Sequence, residues 1–290
     1  MPRHAVVLTN PTAGKGRGAR VRDAALPRLH GAGWRTTSLS GRDADEAGDL
    51  ARTAVGQEPD LLVVCGGDGM VNLGLQAVAG TPVPLGILPA GTGNDFARVL
   101  DIPLRDAVAA AGRLIRGAPR AVDLARIGDR YFGNVLAAGF DAVVNERANR
   151  MSWPRGRMRY NLATLAELRV FEPLHYVLEL DGVQRRVDAM LVAVGNGPSF
   201  GGGLRITHGA DLHDGLLDVV LIKPMGKMEL VRTFPKLYDG SHVTHPQYER
   251  HRVRTVTVAC AGIVGYADGE RFGPLPLTVE SVPGAAQVWA

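Results

Sequence analysis

Short apolar runs alternate with longer stretches of mixed character through the first third of the chain. Residues 5–8 precede 19–30, residues 61–65 precede 70–79, and residues 85–88 precede 96–100. Strand-length runs followed by helix-length segments predict a βαβ rhythm. Each run ends in a glycine-containing turn, and in open parallel sheets such turns gather at the carboxyl ends of the strands, where ligands bind. The stretch PLRDAVAAAGRLIRG at 103–117 predicts a further amphipathic helix, with a glycine at its end as the stop signal.

From about residue 122 the period changes. Apolar and polar positions alternate in 176–180, 183–189, 216–222 and 253–258, which predicts antiparallel strands. One helical insert, at 159–168, precedes them, and no fixed-period repeat is present. We place a domain boundary near residues 121–123, giving domains 1–122 and 123–290. The last strand-like segment, 277–290, is free to pack on either domain.

Composition narrows the class without naming a ligand. A 290-residue chain with 46% hydrophobic and 21% charged residues has ample material for a core and no signature of disorder. A net charge of +4 suits an anionic partner but equally a solvated surface. Cys65 and Cys260 sit in apolar runs, as buried thiols in a reducing compartment do. Neither a signal-peptide core nor a membrane-spanning run is found. The expectation is a cytoplasmic protein, with peripheral contact at the inner face of the membrane left open.

The three glycine turns carry the candidate chemistry. The first, Asn10-Pro11-Thr12-Ala13-Gly14-Lys15-Gly16, contains a Gly-Lys pair. It lacks the spacing of the nucleotide P-loop and of the dinucleotide fingerprint, and by itself it is a turn. The second, within VVCGGDGMVN, delivers Asp68 among Gly66, Gly67 and Gly69. Glycines let the backbone approach a ligand closely and present amides to phosphates. A bare carboxylate there would repel a phosphate, so Asp68 implies an intervening cation or a proton-acceptor role. In the third, LPAGTGNDFAR, Gly91, Thr92, Asn94 and Asp95 crowd a helix start, where Asn94 or Asp95 is a natural N-cap. Three such turns after three successive strands should converge on one sheet edge.

NPTAG, GGDGMVN and LPAGTGNDFAR, in this order, resemble the signatures of the diacylglycerol kinase catalytic-domain family, which includes bacterial lipid kinases, sphingosine kinases and ceramide kinases. The resemblance continues to DLHDGLL at 211–217 and to Asp268-Gly269-Glu270. It implies a three-layer α/β ATP-binding domain followed by an antiparallel β-sandwich, with ATP in the cleft between them. Carried onto this chain, the nucleotide loop falls on Asn10, Pro11, Thr12, Ala13 and Gly14, with Lys15 beside it. The phosphate-binding loop falls on Gly66, Gly67, Gly69, Met70, Val71, Asn72 and Leu73. Gly91, Thr92 and Asn94 form the third element, and Ser40 matches a hydroxyl after the second strand. Asp68 resembles the carboxylate of a magnesium–water network, with Asp95 and Asp123, and magnesium suits such oxygen donors. The chain departs from the family at Met70 and Leu73, where the pattern has Thr and Glu. Either both pack against the sheet, or nucleotide contact and activity are altered.

Asp-Gly pairs are also turn signals. Asp181-Gly182, between alternating strands, predicts a hairpin and serves as a control. For Asp268-Gly269-Glu270 the spacing leaves hairpin and site open, and the resemblance implies the site: Glu270 as general base, Asp268 orienting it or the metal. Paired carboxylates raise a pKa toward neutrality, which helps a base. Asp211, Asp214 and Leu216 imply a second magnesium site by the same resemblance, against a plain turn before the next strand. Arg147, Arg150, Arg155, Arg157 and Arg159 surround Met151, Trp153 and Met158. That is either an anionic-lipid contact or a solvated basic loop.

The resemblance thus implies an ATP- and magnesium-dependent kinase acting on a hydroxyl of diacylglycerol or a similar lipid at the membrane surface. A kinase for a soluble acceptor, of NAD kinase type, is the first alternative. A nucleotide-binding regulatory protein without catalysis, motivated by Met70 and Leu73, is the second. No nucleic-acid reading motif is present, and a homodimer stays open.

Overall fold

The computed structural model of the chain describes residues 2–139 and 172–289, together with positions 144, 147, 151 and 153. The helix expected over 159–168 lies outside them. Strands β1 (His4–Thr9), β2 (Arg35–Leu39), β3 (Leu61–Gly66) and β4 (Leu85–Pro89) pair in parallel in the order β2-β1-β3-β4. Every residue of β3 is buried, which is why it reads as a continuous apolar run instead of an alternating one. Helices α1 (Ala13–Gly31), α2 (Ala44–Val55), α3 (Asp68–Val78), α4 (Asp95–Val99) and α5 (Ala107–Arg116) complete this α/β unit.

The expected list of elements omits β2 and α2. β2 is an edge strand, RTTSL, none of whose side chains is fully buried, so it carries no apolar run to notice. α2 was marked by its cap: the Asp43 carboxylate accepts from the Glu46 N–H, and Glu46 in turn accepts from the N–H of Arg42.

The rest of the described chain forms β5 (Pro119–Ile127), β6 (Arg130–Phe132), β7 (Val135–Gly139), β8 (Leu174–Leu180), β9 (Val183–Ala189), β10 (Leu191–Gly195), β11 (Leu217–Ile222), helix α6 (Lys227–Thr233), β12 (Tyr248–Val253), β13 (Thr255–Ala259), β14 (Val264–Ala267), β15 (Glu270–Pro274) and β16 (Leu277–Trp289). A six-stranded antiparallel sheet runs β12-β11-β10-β7-β14-β15. It packs against β5, β8, β13 and the first half of β16 over a shared apolar core. In β11, Leu217, Val219 and Leu221 enter that core while Val220 and Ile222 face the opposite side, under Leu230 and Leu237.

One strand joins the halves. β16 pairs antiparallel with β13 and β5 and then, at Val288 beside Leu85, parallel with β4. The parallel sheet therefore continues into the second half as one ten-stranded sheet. The junction placed near 121–123 falls inside β5. Where β16 ends, Trp289 meets Trp34 edge-on at 5.7 Å, and the Arg3 guanidinium lies 5.5 and 5.7 Å from the two rings.

The run at 253–258 is not one strand. Val253 closes β12 in one sheet, Thr255 opens β13 in the other, and the Asp181 carboxylate accepts the N–H groups of Arg254 and Thr255 at the corner. Asp181 and Gly182 themselves have φ of 47° and 85° between Leu180 and Val183, the left-handed pair a two-residue hairpin requires.

Near the outer face of the six-stranded sheet His242 is buried, with Nε2 3.2 Å from the Ile206 carbonyl, Nδ1 without a partner and Tyr248 edge-on at 5.3 Å. Burial lowers its pKa, and nearby His208 adds to that, while the Ile206 and Lys236 backbone and Asp239 act the other way. As pH falls below the ordinary histidine value of 6.5, the unfolded chain takes up a proton that the folded chain resists, so stability is lost on the acid side. His242→Gln should flatten the decline of the unfolding free energy below that pH in denaturant titrations. An unchanged slope would refute the assignment.

Candidate active site

The turns after β1, β3 and β4 form one surface because glycine lets their backbones touch. Gly14, Lys15 and Gly16 take φ of 56°, 62° and 85°, and a Cβ on Gly14 would lie 2.1 Å from the Ala90 carbonyl oxygen. A Cβ on Gly91 would lie 2.4 Å from the Gly67 Cα. Backbone bonds fix the contact: Asn10 N donates to Cys65 O at 3.0 Å, and Ala90 N and Gly91 N donate to Gly66 O at 2.7 and 3.2 Å. The Asn10 Oδ1 accepts from Thr12 N and Thr12 Oγ1, shaping the first turn. Asn94, at φ 52°, closes the third by exchanging side-chain amide bonds of 2.9 Å with the Gly91 backbone.

Asp68 ties the second turn to the third. Its carboxylate accepts from Asn94 N at 2.8 Å and from Asp95 N at 2.6 Å. The N–H groups of Met70 and Val71 both bond the Gly67 carbonyl, whereas the leading amides of α3 have no intrahelical partner. Lys15, Thr92 and Ser40 are exposed, and Ser40 follows β2, whose Leu39 pairs with Leu8. Pro11 and Thr12 are also exposed, and Ala13 is half-buried. Met70, Val71 and Asn72 are buried in the first turn of α3, with the Asn72 Nδ2 unpaired. Met70 packs over Gly66 and Leu73 faces Gly48 of α2.

The second half brings its own carboxylates to this edge. Glu270 Oε1 would lie 3.8 Å from a Cβ on Gly69, and both residues are exposed. Asp268 accepts from the N–H groups of Gly133 (2.7 Å), Asn134 (3.1 Å) and Val135 (3.2 Å). Burial pushes its pKa up to about 6 against the pull of those donors, and the charge of Asp68 adds to the rise. Asp268 and Gly269 have φ of 50° and 87°, with Ala267 paired to Glu270. The segment is therefore a hairpin turn, and it brings Glu270 beside Gly69. Asp95 is buried; its pKa is raised first by that burial and also by Asp68, opposed by the N–H groups of Gly202 and Gly203 and by Arg98.

The structure thus assembles Asp68, Asp95, Asp268 and Glu270 around the glycine turns. The Asp123 carboxylate accepts from Gly215 N and Gly284 N, both at 2.7 Å, pinning the bulge of β16. In the adjoining loop Asp211 accepts from His213 N, Asp214 accepts from the N–H of Leu216, and Asp214 is ion-paired with Arg252. Among the described residues no group of three or more His, Cys, Asp or Glu side chains closes into a metal cage. Asp68 and Asp95 are hard oxygen donors that crowd one another, and with nucleotide phosphates they fit an ion of magnesium type, which binds through one or two carboxylates and substrate oxygens.

Sequence reasoning passed over the turn Gly201-Gly202-Gly203 and Arg98, although a run of three glycines is itself a signal for backbone approach. Of the basic patch, Trp153 is 76% exposed and Met151 packs on the outer core, while Arg150, Arg155, Arg157, Met158 and Arg159 lie outside the described residues. Among the described residues no helix is long and apolar enough to cross a membrane.

The chain is similar to known proteins. Residues 4–127 match the family model of the diacylglycerol kinase catalytic domain, and residues 134–290 match that of the YegS C-terminal NAD kinase beta sandwich-like domain. The chain is 45% identical over 287 residues to a diacylglycerol kinase of Mycobacterium tuberculosis, covering 97% of this chain and 93% of the relative. It is 28% identical over 279 residues to one of Bacillus subtilis, covering 94% and 92%. A crystal structure of a diacylglycerol kinase from Bacillus anthracis superposes with a TM-score of 0.75 at 20% identity, covering 99% of this chain and 96% of that one, and so shares the fold.

The contact between turns is testable by sterics alone. Gly91→Ala should cost about 1–3 kcal/mol, the usual range for overpacking, and should weaken ATP binding in calorimetry. A variant of wild-type stability and affinity would mean that the turns are not in contact.

Proposed function

The chain belongs to the diacylglycerol kinase catalytic-domain family, and we propose that it transfers the terminal phosphoryl group of ATP to a hydroxyl of diacylglycerol or a similar lipid. It is a kinase with an alcohol acceptor. The observation that carries the site assignment is the approach of Glu270, from the late β-rich half, to Gly69 in the first half. Residues 1–122 then serve as the nucleotide half and 123–290 as the acceptor half.

Phosphoryl transfer of this kind works by positioning and by neutralising phosphate charge. In this reading the turns at 10–15, 66–69 and 91–94 hold the nucleotide through backbone amides, and Asp68 keeps the second and third in register. Mg²⁺, held by Asp68 and Asp95 together with the phosphates, would supply charge neutralisation. Glu270, exposed in the cleft, takes the proton of the acceptor hydroxyl. Asp268 has its carboxylate engaged by three backbone donors, so it positions the hairpin that carries Glu270. Neither a soluble acceptor nor a non-catalytic role has a specific observation in its favour.

Labelled ATP supplied with diacylglycerol micelles and, separately, with soluble alcohols should label the lipid. Label confined to a soluble acceptor would sink the lipid reading. Glu270→Gln should lower turnover by roughly 10²–10⁴-fold, the usual contribution of a general base, with no change in thermal unfolding. An undiminished rate would remove Glu270 from that role.

A further inference from the structure

What holds Asp95 comes from the other half of the protein. Its carboxylate accepts from Gly202 N at 2.8 and 3.1 Å, and the Gly203 N–H also reaches it. These donors sit at the tip of a turn closed by Phe200 and Leu204, which exchange backbone bonds of 3.0 and 2.8 Å. Gly201, Gly202 and Gly203 take φ of 60°, 84° and 106°. Successive amides on such a backbone form a concave nest for an anion. A Cβ on Gly202 would meet nothing within 4 Å, so the turn has free space beside it. Behind it, Arg98 Nε lies 3.4 Å from the Cβ position of Gly203, and Arg98 Nη2 donates to Gly93 O at 2.9 Å. Backbone donors of one half and a guanidinium of the other thus surround a single carboxylate at the nucleotide edge.

We propose that the Gly201–Gly203 turn, with Arg98, is a binding site for the phosphoryl group in transit, a place that the Asp95 carboxylate fills in this structure. The inference rests on the kinase reading above. During transfer the acceptor oxygen bonds to the terminal phosphorus as the bond to the bridging oxygen breaks. ADP leaves with that electron pair, and the hydroxyl proton passes to Glu270. Charge spreads over three equatorial oxygens, which need donors already in place. The nucleotide edge supplies amides and, at Asp68 and Asp95, the carboxylates that would hold Mg²⁺ against those oxygens. The nest supplies donors from the facing side. Two anions cannot share it, so Asp95 yields the amides when the phosphate arrives.

Backbone amide spectra of the whole chain, titrated in magnesium with ADP and with a non-hydrolysable ATP analogue, separate the possibilities. Gly67, Gly69 and Gly91 should respond to both nucleotides, and Gly202 and Gly203 only to the triphosphate. If the first group responds while Gly202 and Gly203 stay silent, the turn is a tie between halves and the proposal is overturned with the nucleotide site intact. If neither group responds, the nucleotide reading itself fails and takes the proposal with it. Gly202→Ala, which places a methyl beside the amides, should lower turnover at least tenfold while ADP affinity is unchanged. Full turnover would overturn the proposal.

Discussion

Carboxylates that capture backbone amides far away in sequence hold this protein in its working shape. Asp68 takes the amides of Asn94 and Asp95, Asp95 takes those of Gly202 and Gly203, Asp123 those of Gly215 and Gly284, and Asp268 those of residues 133–135. Asp181 does the same at the corner between sheets. A hydrogen bond to a charged group contributes about 1.5–3 kcal/mol, and loops without their own apolar core need such ties. Each clamp converts a flexible turn into a fixed one. At Asp95 and Asp268 the clamp costs the desolvation of an acid, and burial raises both pKa values.

The clamps act on a frame set by β16. Because that strand leaves the second half and finishes beside β4, the two halves share a sheet instead of being joined by a free linker. Asp123 fixes the bulge at which β16 changes partners. On this shared frame the hairpin at 267–270 reaches the glycine turns, with Glu270 beside Gly69. That arrangement suits a reaction in which placement carries most of the catalysis.

The parts of this arrangement legible in the sequence are those where one physical demand dominates. Buried parallel strands must be apolar throughout, so β1, β3 and β4 stand out, and glycine is obligatory where Gly14 abuts Ala90. β2 and the 253–258 corner were not legible, because an edge strand has no apolar face and a change of sheet leaves the alternation of side chains undisturbed. The site divided in the same way. Asp68 and Glu270 announce themselves beside glycines, but the partners of Asp68 are backbone amides, which have no letter in a sequence. The amides that Asp123 holds, those of Gly215 and Gly284, were not legible, since only the folded bulge of β16 brings them to it.

Met70 and Leu73, the departures from the family pattern, are answered by packing. Gly66 has no side chain, and a Cβ there would lie 2.4 Å from Met70 Cγ, so Met70 occupies the volume that glycine leaves above the end of β3. Leu73 faces Gly48 and fills the seam between α3 and α2. At position 70 a threonine would place a hydroxyl in the packing over Gly66, and burying a polar group unpaired is costly. Met70 is buried and Leu73 half-buried, so both departures sit in the packing behind the glycine turn, whereas Gly69 and Glu270 are exposed.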